Sequence, residues 1–215
     1  EEIMGDAKKR FSKENTIFIP DNINVFVALC TDSEVRKRLI DVWDNIEDID
    51  FKSLPDKFVL KANHGSGMNI ICKDKNKLDW NKAKKKMRFW IRNSQYCISR
   101  EWQYKDTQRK IICEQFLKYD ITDYKFFCFN GEPHYCQLIQ DRSTEETIDF
   151  YDMEWNHMPF RGLNPQCDSA LYEADKPEDF EQMKDIAQKL SKGFPFVRVD
   201  LYSVKEGVYF GELTF

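Results

Sequence analysis

The sequence predicts an α+β fold, and three observations carry that prediction. Asn130-Gly131 sits between two β-rich runs, the strongest short-range hairpin signal in the chain. A second hairpin pattern closes the sequence, where Phe196 to Tyr202 and Val208 to Phe215 flank a short polar break. Two amphipathic helical runs, Asp79 to Asn93 and Pro177 to Lys192, punctuate the strands.

The 215 residues, 41% hydrophobic and 14% aromatic, suffice for a sizeable core in one or two domains. A net charge of −4 argues against a general nucleic-acid binder. The longest apolar run, Val25 to Cys30, is far too short for a membrane span. No signal peptide is visible, in a chain that starts at Glu1 without Met. Seven scattered Cys without CxxC pairs suggest free thiols in a reducing cytoplasm and disfavour zinc.

In chain order, Ile17-Phe18-Ile19-Pro20 suggests a strand ended by proline. Thr31-Asp32-Ser33 suggests a helix start, continued at helical spacing by Val35, Leu39 and Val42. The acidic stretch from Glu47 to Pro55 suggests a linker. Lys57 to Lys61 and Met68 to Cys72 are strands around the flexible turn Asn63-His64-Gly65-Ser66-Gly67. The helix from Asp79 turns Trp80, Ala83, Met87, Trp90 and Ile91 to one side and its lysines to solvent. Lys110 to Glu114 is a strand that leads into a connector, Gln115-Phe116-Leu117. Asp123 to Phe129 and His134 to Gln140 flank Asn130-Gly131. The last helix buries Phe180, Met183, Ala187 and Leu190.

Four constellations suggest chemistry. The Gly65-Ser66-Gly67 turn exposes backbone N–H groups that phosphate oxygens can use, with Lys61 in reach. His64 is a loop residue of that turn rather than a catalyst. The strand end at Glu114, Gln115, Phe116 and Leu117 offers backbone groups to a planar base. Asp123 and Lys125 share a strand face, either as site residues or as an exposed ion pair on an edge strand. In the terminal hairpin, a loop of Lys205-Glu206-Gly207 pairs residues whose numbers sum to 412, so Asp200 faces Glu212, with Arg198 on the same face. Facing carboxylates in an apolar sheet need a partner or a metal, so the set is either a strand face with one ion pair, Arg198 to Asp200 or Glu212, or a cation site. Oxygen-only ligands of low number suggest Mg²⁺ held jointly with substrate phosphates.

These pieces, in this order, resemble the ATP-grasp superfamily, and most closely its teichuronopeptide-biosynthesis-like (TupA-like) branch. The carrying motifs are Phe51 to Gly67, Glu114-Gln115-Phe116-Leu117, Asp123-Tyr124-Lys125 to Gly131, Arg198-Val199-Asp200-Leu201-Tyr202 and Phe210 to Phe215. The resemblance implies an ATP-grasp fold in which two α+β subdomains grip ATP between antiparallel sheets. It implies an N-terminal segment of residues 1–55, a small lid at 56–113, and a hinge with the larger subdomain at 114–215. It further implies that Lys61, His64, Gly65, Ser66 and Gly67 bind the ATP phosphates and that Glu114 to Leu117 form the adenine hinge. Asp123 would lie near the ribose and Lys125 near the γ-phosphate. Asp200 and Glu212 would hold Mg²⁺, and Arg198 would steady a carboxylate or acyl-phosphate, which makes Lys61, Lys125 and Arg198 the catalytic set. Many ATP-grasp ligases carry Asn two residues after the last metal Glu, where this chain has Thr214.

The implied activity is an ATP- and Mg²⁺-dependent carboxylate–amine ligase, cytoplasmic, that joins an amino acid or amine to an acidic sugar of a surface polysaccharide. The alternatives are a kinase acting on a glycan or small molecule and a non-catalytic glycan-binding domain.

Overall fold

The computed structural model describes residues 16–18, 27–28, 39–65, 67–93, 95–100, 104–118, 121–142, 144–161 and 167–214. They form an α+β architecture of three antiparallel sheets and a few helices. Two compact units are distinct, one within Arg38–Phe116 and one within Leu117–Phe215. The second also takes β1 (Thr16–Phe18) and β2 (Val27–Ala28), which pair with each other. The proposed proline stop at Pro20 and helix start at Thr31 lie outside the described residues.

The Arg38–Phe116 unit is built on a four-stranded sheet. Its strands are β3 (Leu39–Trp43), β4 (Phe58–Ala62), β5 (Asn69–Cys72) and β6 (Ile111–Gln115), in spatial order β3-β6-β4-β5. Leu39 and Val42, expected in a helix, instead belong to an edge strand that pairs with β6. Apolar spacing of three to four residues over so short a run does not outweigh a free strand edge that offers backbone hydrogen bonds. Helix α1 (Trp80–Arg92) packs Ala83, Met87 and Trp90 inward. Asp79 caps it, accepting the N–H of Lys82 at 2.9 Å. A short helix, α2 (Gln95–Ser99), follows. Residues 46–54 are no linker. Ile46, Ile49 and Leu54 are buried with Phe58, Leu60, Met87, Trp90 and Ile111 in one cluster. The acidic residues between them face outward, which is why composition alone misled.

The Leu117–Phe215 unit carries β7 (Asp123–Phe129), β8 (Glu132–Gln140), β9 (Thr147–Asp152), β10 (Phe196–Val204) and β11 (Gly207–Thr214) in spatial order β11-β10-β7-β8-β9. Asn130 and Gly131 take φ of 51° and 86°, so both central residues of the β7–β8 turn are left-handed, as a type I′ turn requires. Helix α3 (Phe180–Ser191) covers one face of the sheet. Phe180, Met183, Ile186, Ala187 and Leu190 are buried there, as are Phe126, Cys128, Val197, Val199 and Leu201. Phe126 and Phe180 meet with ring centroids 5.8 Å apart. Each fully buried Val, Leu, Ile, Phe or Met among them contributes about 1.5–3 kcal/mol.

The terminal hairpin differs from its expected register. From Val204↔Gly207 to Leu201↔Phe210 the paired numbers sum to 411, because the turn has two residues rather than three. An irregularity between Asp200 and Leu201 then inserts Gly211 into β11. Beyond it the sum becomes 412, and Asp200 does face Glu212. Among the described residues, no helix is long and apolar enough to cross a membrane.

Candidate functional site

On the face of the five-stranded sheet opposite α3, strand alternation gathers most of the charged candidates. Asp123 and Lys125 stand on β7, with Lys125 directly opposite Asp200 of β10. Arg198 is two residues before Asp200 and therefore on the same face. β7 is the central strand of five, so Asp123 and Lys125 are not an exposed edge pair. They are 2% and 8% exposed, and Asp200 is 1% exposed.

Burying these charges costs several kcal/mol per ion unless each meets an opposite one, and here each does. Arg198 donates two bonds to Asp200, Nε to Oδ1 at 2.7 Å and Nη2 to Oδ2 at 2.8 Å. The same Nη2 lies 3.2 Å from Glu212 Oε1. Lys125 Nζ donates to Asp200 Oδ2 and stands 3.5 Å from Asp123 Oδ2. The positive charge between the two facing carboxylates is thus the Arg198 guanidinium. Burial alone would lower the Arg198 pKa, but the bonds and charge of Asp200, aided by Glu212 and Asp123, hold it above its ordinary value.

Glu212 behaves differently. Its side chain is about half exposed, yet the carboxyl loses part of its solvation against the sheet. That loss of solvation, with the like charge of Asp200, raises its pKa against the pull of Lys125 and Arg198. Glu212 thus faces a second carboxylate across the two strands and shares the Arg198 guanidinium with it. Among the described residues, no three His, Cys, Asp or Glu side chains gather into a metal cluster. Two facing carboxylates are oxygen donors of the kind Mg²⁺ takes, and in this structure both Asp200 oxygens are engaged by Arg198 and Lys125.

Asp123 is engaged through one carboxylate oxygen, while its Oδ1 is buried without a hydrogen-bond partner among the described residues. Its Oδ2 is taken by Lys125 and by Arg142 Nη2 at 2.7 Å. Arg142 was not among the candidates, because it follows β8 in a charged turn with no motif of its own. The Asn130-Gly131 hairpin held the signal: extending its register sets Asp123 opposite Ile139, three residues before Arg142.

The Arg38–Phe116 unit brings Lys61 and Glu114 together, with Lys61 Nζ 2.6 Å from Glu114 Oε2. Glu114 is buried on β6, Gln115 is exposed at its end, and Phe116 and Leu117 continue the chain outside any strand. In the turn after β4, Gly67 takes φ of +69° with open space where a side chain would begin. Ser66 lies outside the described residues. Asn63 and His64 turn inward from the same loop. Asn63 donates Nδ2 to Gln108 O at 2.8 Å and accepts the Lys110 N–H at 2.7 Å. His64 is buried, and its Nε2 donates to the Trp90 carbonyl at 2.9 Å, which anchors the loop on α1. Burial lowers the His64 pKa, and the charge of Arg109 adds to that, outweighing the opposing bond to Trp90.

Similar solved structures include a D-alanine–D-alanine ligase from Bacillus anthracis complexed with ATP, at 14% identity and TM-score 0.47. It is covered over 49% of its length by 83% of this chain. The ATP-grasp ligase PsnB, complexed with minimal precursor, Mg and ADP, is 11% identical at TM-score 0.45, with 85% of this chain on 46% of that one. An L-amino acid ligase from Bacillus licheniformis is 14% identical at TM-score 0.44, with 84% of this chain on 39% of that one. The chain thus spans half or less of the length of these structures. Among curated proteins, none matches. The TupA-like ATP-grasp family model matches residues 12–215, which takes in both units, and the chain belongs to the TupA-like ATP-grasp family.

Proposed function

We propose that this chain is the ATP-using part of a carboxylate–amine ligase. The observation that carries the reading is the Lys125–Asp200–Arg198–Glu212 cluster on the face of the five-stranded sheet opposite α3, in a chain of this family. A carboxylate oxygen of the acceptor attacks the γ-phosphorus of ATP, the bond to the β,γ-bridging oxygen breaks, and ADP leaves. The resulting acyl-phosphate is attacked at carbon by an amine, which loses a proton as inorganic phosphate departs and the amide forms.

Phosphoryl transfer asks little covalent chemistry of the protein, so positioning and charge supply the rate. Mg²⁺, held by Asp200 and Glu212, would neutralise charge on the phosphates. Lys125, buried and held by Asp200, directs its ammonium at the developing phosphoryl charge. Arg198 is fixed by two bonds to Asp200, which leaves the edge of its guanidinium to steady the acceptor carboxylate or the acyl-phosphate. In the Arg38–Phe116 unit, Lys61 and the 63–67 turn take phosphate oxygens, with Asn63 and His64 holding the turn's inner side. Residues 56–113 form the lid of this reading, and Glu114 to Leu117 the adenine hinge. The acceptor is an acidic sugar of a surface polysaccharide, the amine an amino acid or simple amine, and the place of action the cytoplasm.

The test is ADP release with a panel of uronic acids in the presence of hydroxylamine. Hydroxamate that depends on both ATP and the uronic acid supports the ligase. Phosphate transferred to a hydroxyl, with no hydroxamate trapped, overturns it in favour of a kinase.

A further inference from the structure

Asp123 and Lys125 pose a problem of competition. Lys125 stands between two buried carboxylates, bonded to Asp200 and 3.5 Å from Asp123. An unneutralised Asp123 would draw the ammonium toward itself, since a buried charge without a partner is costly. The demand is sharpened by its Oδ1, which is buried without a hydrogen-bond donor among the described residues. Arg142 supplies a second cation, at the same oxygen that Lys125 approaches, with Nη2 2.7 Å from Asp123 Oδ2. It is itself steered by Glu146, whose Oε2 is 3.4 Å from Arg142 Nε and whose Oε1 accepts the Cys167 thiol at 3.1 Å. A guanidinium is always charged and geometrically fixed, which suits it to this task better than a second lysine.

We infer that Arg142 is a positioning residue that neutralises Asp123 and thereby keeps the Lys125 ammonium on Asp200, where the phosphoryl group is handled. Arg142 acts through Asp123 and Lys125 rather than by touching the reacting atoms. This deepens the ligase reading and rests on it for its functional meaning, although the placement of Lys125 does not depend on that reading.

The test compares the full chain with Arg142→Gln, Asp123→Asn, the double variant and Arg142→Lys, using two readouts. The first is the ¹³Cε–¹H signal of Lys125 in ligand-free, lysine-labelled protein, assigned by its disappearance in Lys125→Arg. Arg142→Gln should displace this signal, and the double variant should return it close to its position in Asp123→Asn. The second is ATP-dependent hydroxamate formation with a uronic acid. Here Arg142→Gln should lower kcat/KM for ATP by about tenfold or more, as loss of a charge-assisted bond does. The double variant should come within about threefold of Asp123→Asn alone, the non-additivity expected of coupled sites. Arg142→Lys should fall between Arg142→Gln and wild type, and it serves in place of Arg142→Gln if the latter fails to fold. An unmoved Lys125 signal in Arg142→Gln, or no rescue by Asp123→Asn, overturns the inference. Wild-type protein without ATP-dependent turnover would overturn the ligase reading alone, and the lysine signal would then decide this one by itself.

Discussion

A first side-chain carbon on Gly211 would lie 2.7 Å from the carbonyl oxygen of Asp200 and 2.9 Å from Cε2 of Tyr202. The inserted glycine of β11 is therefore pressed against the backbone of the residue that anchors the charge cluster. Gly211→Ala must push β11 away from β10 or undo the irregularity. The expected cost is about 2 kcal/mol or more, as for overpacking at a rigid contact. Urea unfolding measures it, and Gly67→Ala, which has open space but a positive φ, should cost less, on the order of 1 kcal/mol.

Arg198 and Asp200 should be strongly coupled. Arg198→Ala removes the cation between Asp200 and Glu212 and leaves Lys125 alone on a buried carboxylate. A loss of about 2–4 kcal/mol is expected, most of it from the stranded charge. In a double-mutant cycle with Asp200→Asn, the second substitution should cost at least about 1 kcal/mol less in the Arg198→Ala background. Additive losses would show that the two residues act independently.

Asp200→Asn and Glu212→Gln should both keep the fold, judged by circular dichroism, and abolish Mg²⁺-dependent ADP release. Both keep the side-chain volume and remove a charged oxygen ligand. Wild-type turnover in both would refute their assignment to the metal.

Asn63→Ala should destabilise the Arg38–Phe116 unit by about 2 kcal/mol, because it strands the Gln108 carbonyl and the Lys110 N–H that the amide now satisfies. Hydrogen exchange at the Lys110 amide should quicken with it.

His64 sets a pH dependence. Its folded pKa lies below its ordinary 6.5, chiefly through burial, so the unfolded chain takes up a proton before the folded one does. The stability that follows from a neutral His64 is complete above about pH 6.5 and is lost as pH falls below it. Unfolding free energies of wild type and His64→Gln should differ more at pH 7.5 than at pH 5.5, with wild type the more favoured at the higher pH.

Legibility from sequence follows the range of the interactions. The β7–β8 hairpin was readable because Asn130-Gly131 encodes its turn locally. Both long helices were readable because a buried stripe lies on one segment, with a capping Asp79 at the start of the first. β3 was misread as helix because only its pairing with β6, some seventy residues on, makes it a strand. β9 went unread because Ile148, Asp149, Phe150 and Tyr151 are all buried, which erases the alternation of a half-exposed strand. Its buried Asp149 is satisfied by His157 at 3.0 Å and by the Ala170 N–H, partners that no local pattern announces. In the site, the pairing of Asp200 with Glu212 was anticipated, although a shorter turn and an inserted glycine produce it together. Arg142 was out of reach without the register of the whole β7–β8 ladder.

The order of the five strands also bears on when the charge cluster can exist during folding. β7, β8 and β9 follow one another in the chain and can zip locally, as can β10 with β11. The junction of β7 with β10 joins Lys125 to Asp200 across 75 residues, the slow, entropically costly closure of the sheet. Until it happens, Asp123 and Lys125 ride on one early piece and Arg198, Asp200 and Glu212 on another, each solvated and harmless. Closure of that seam and burial of the ion cluster are one kinetic event, so a substitution that weakens the cluster should speed unfolding more than it slows the formation of either hairpin.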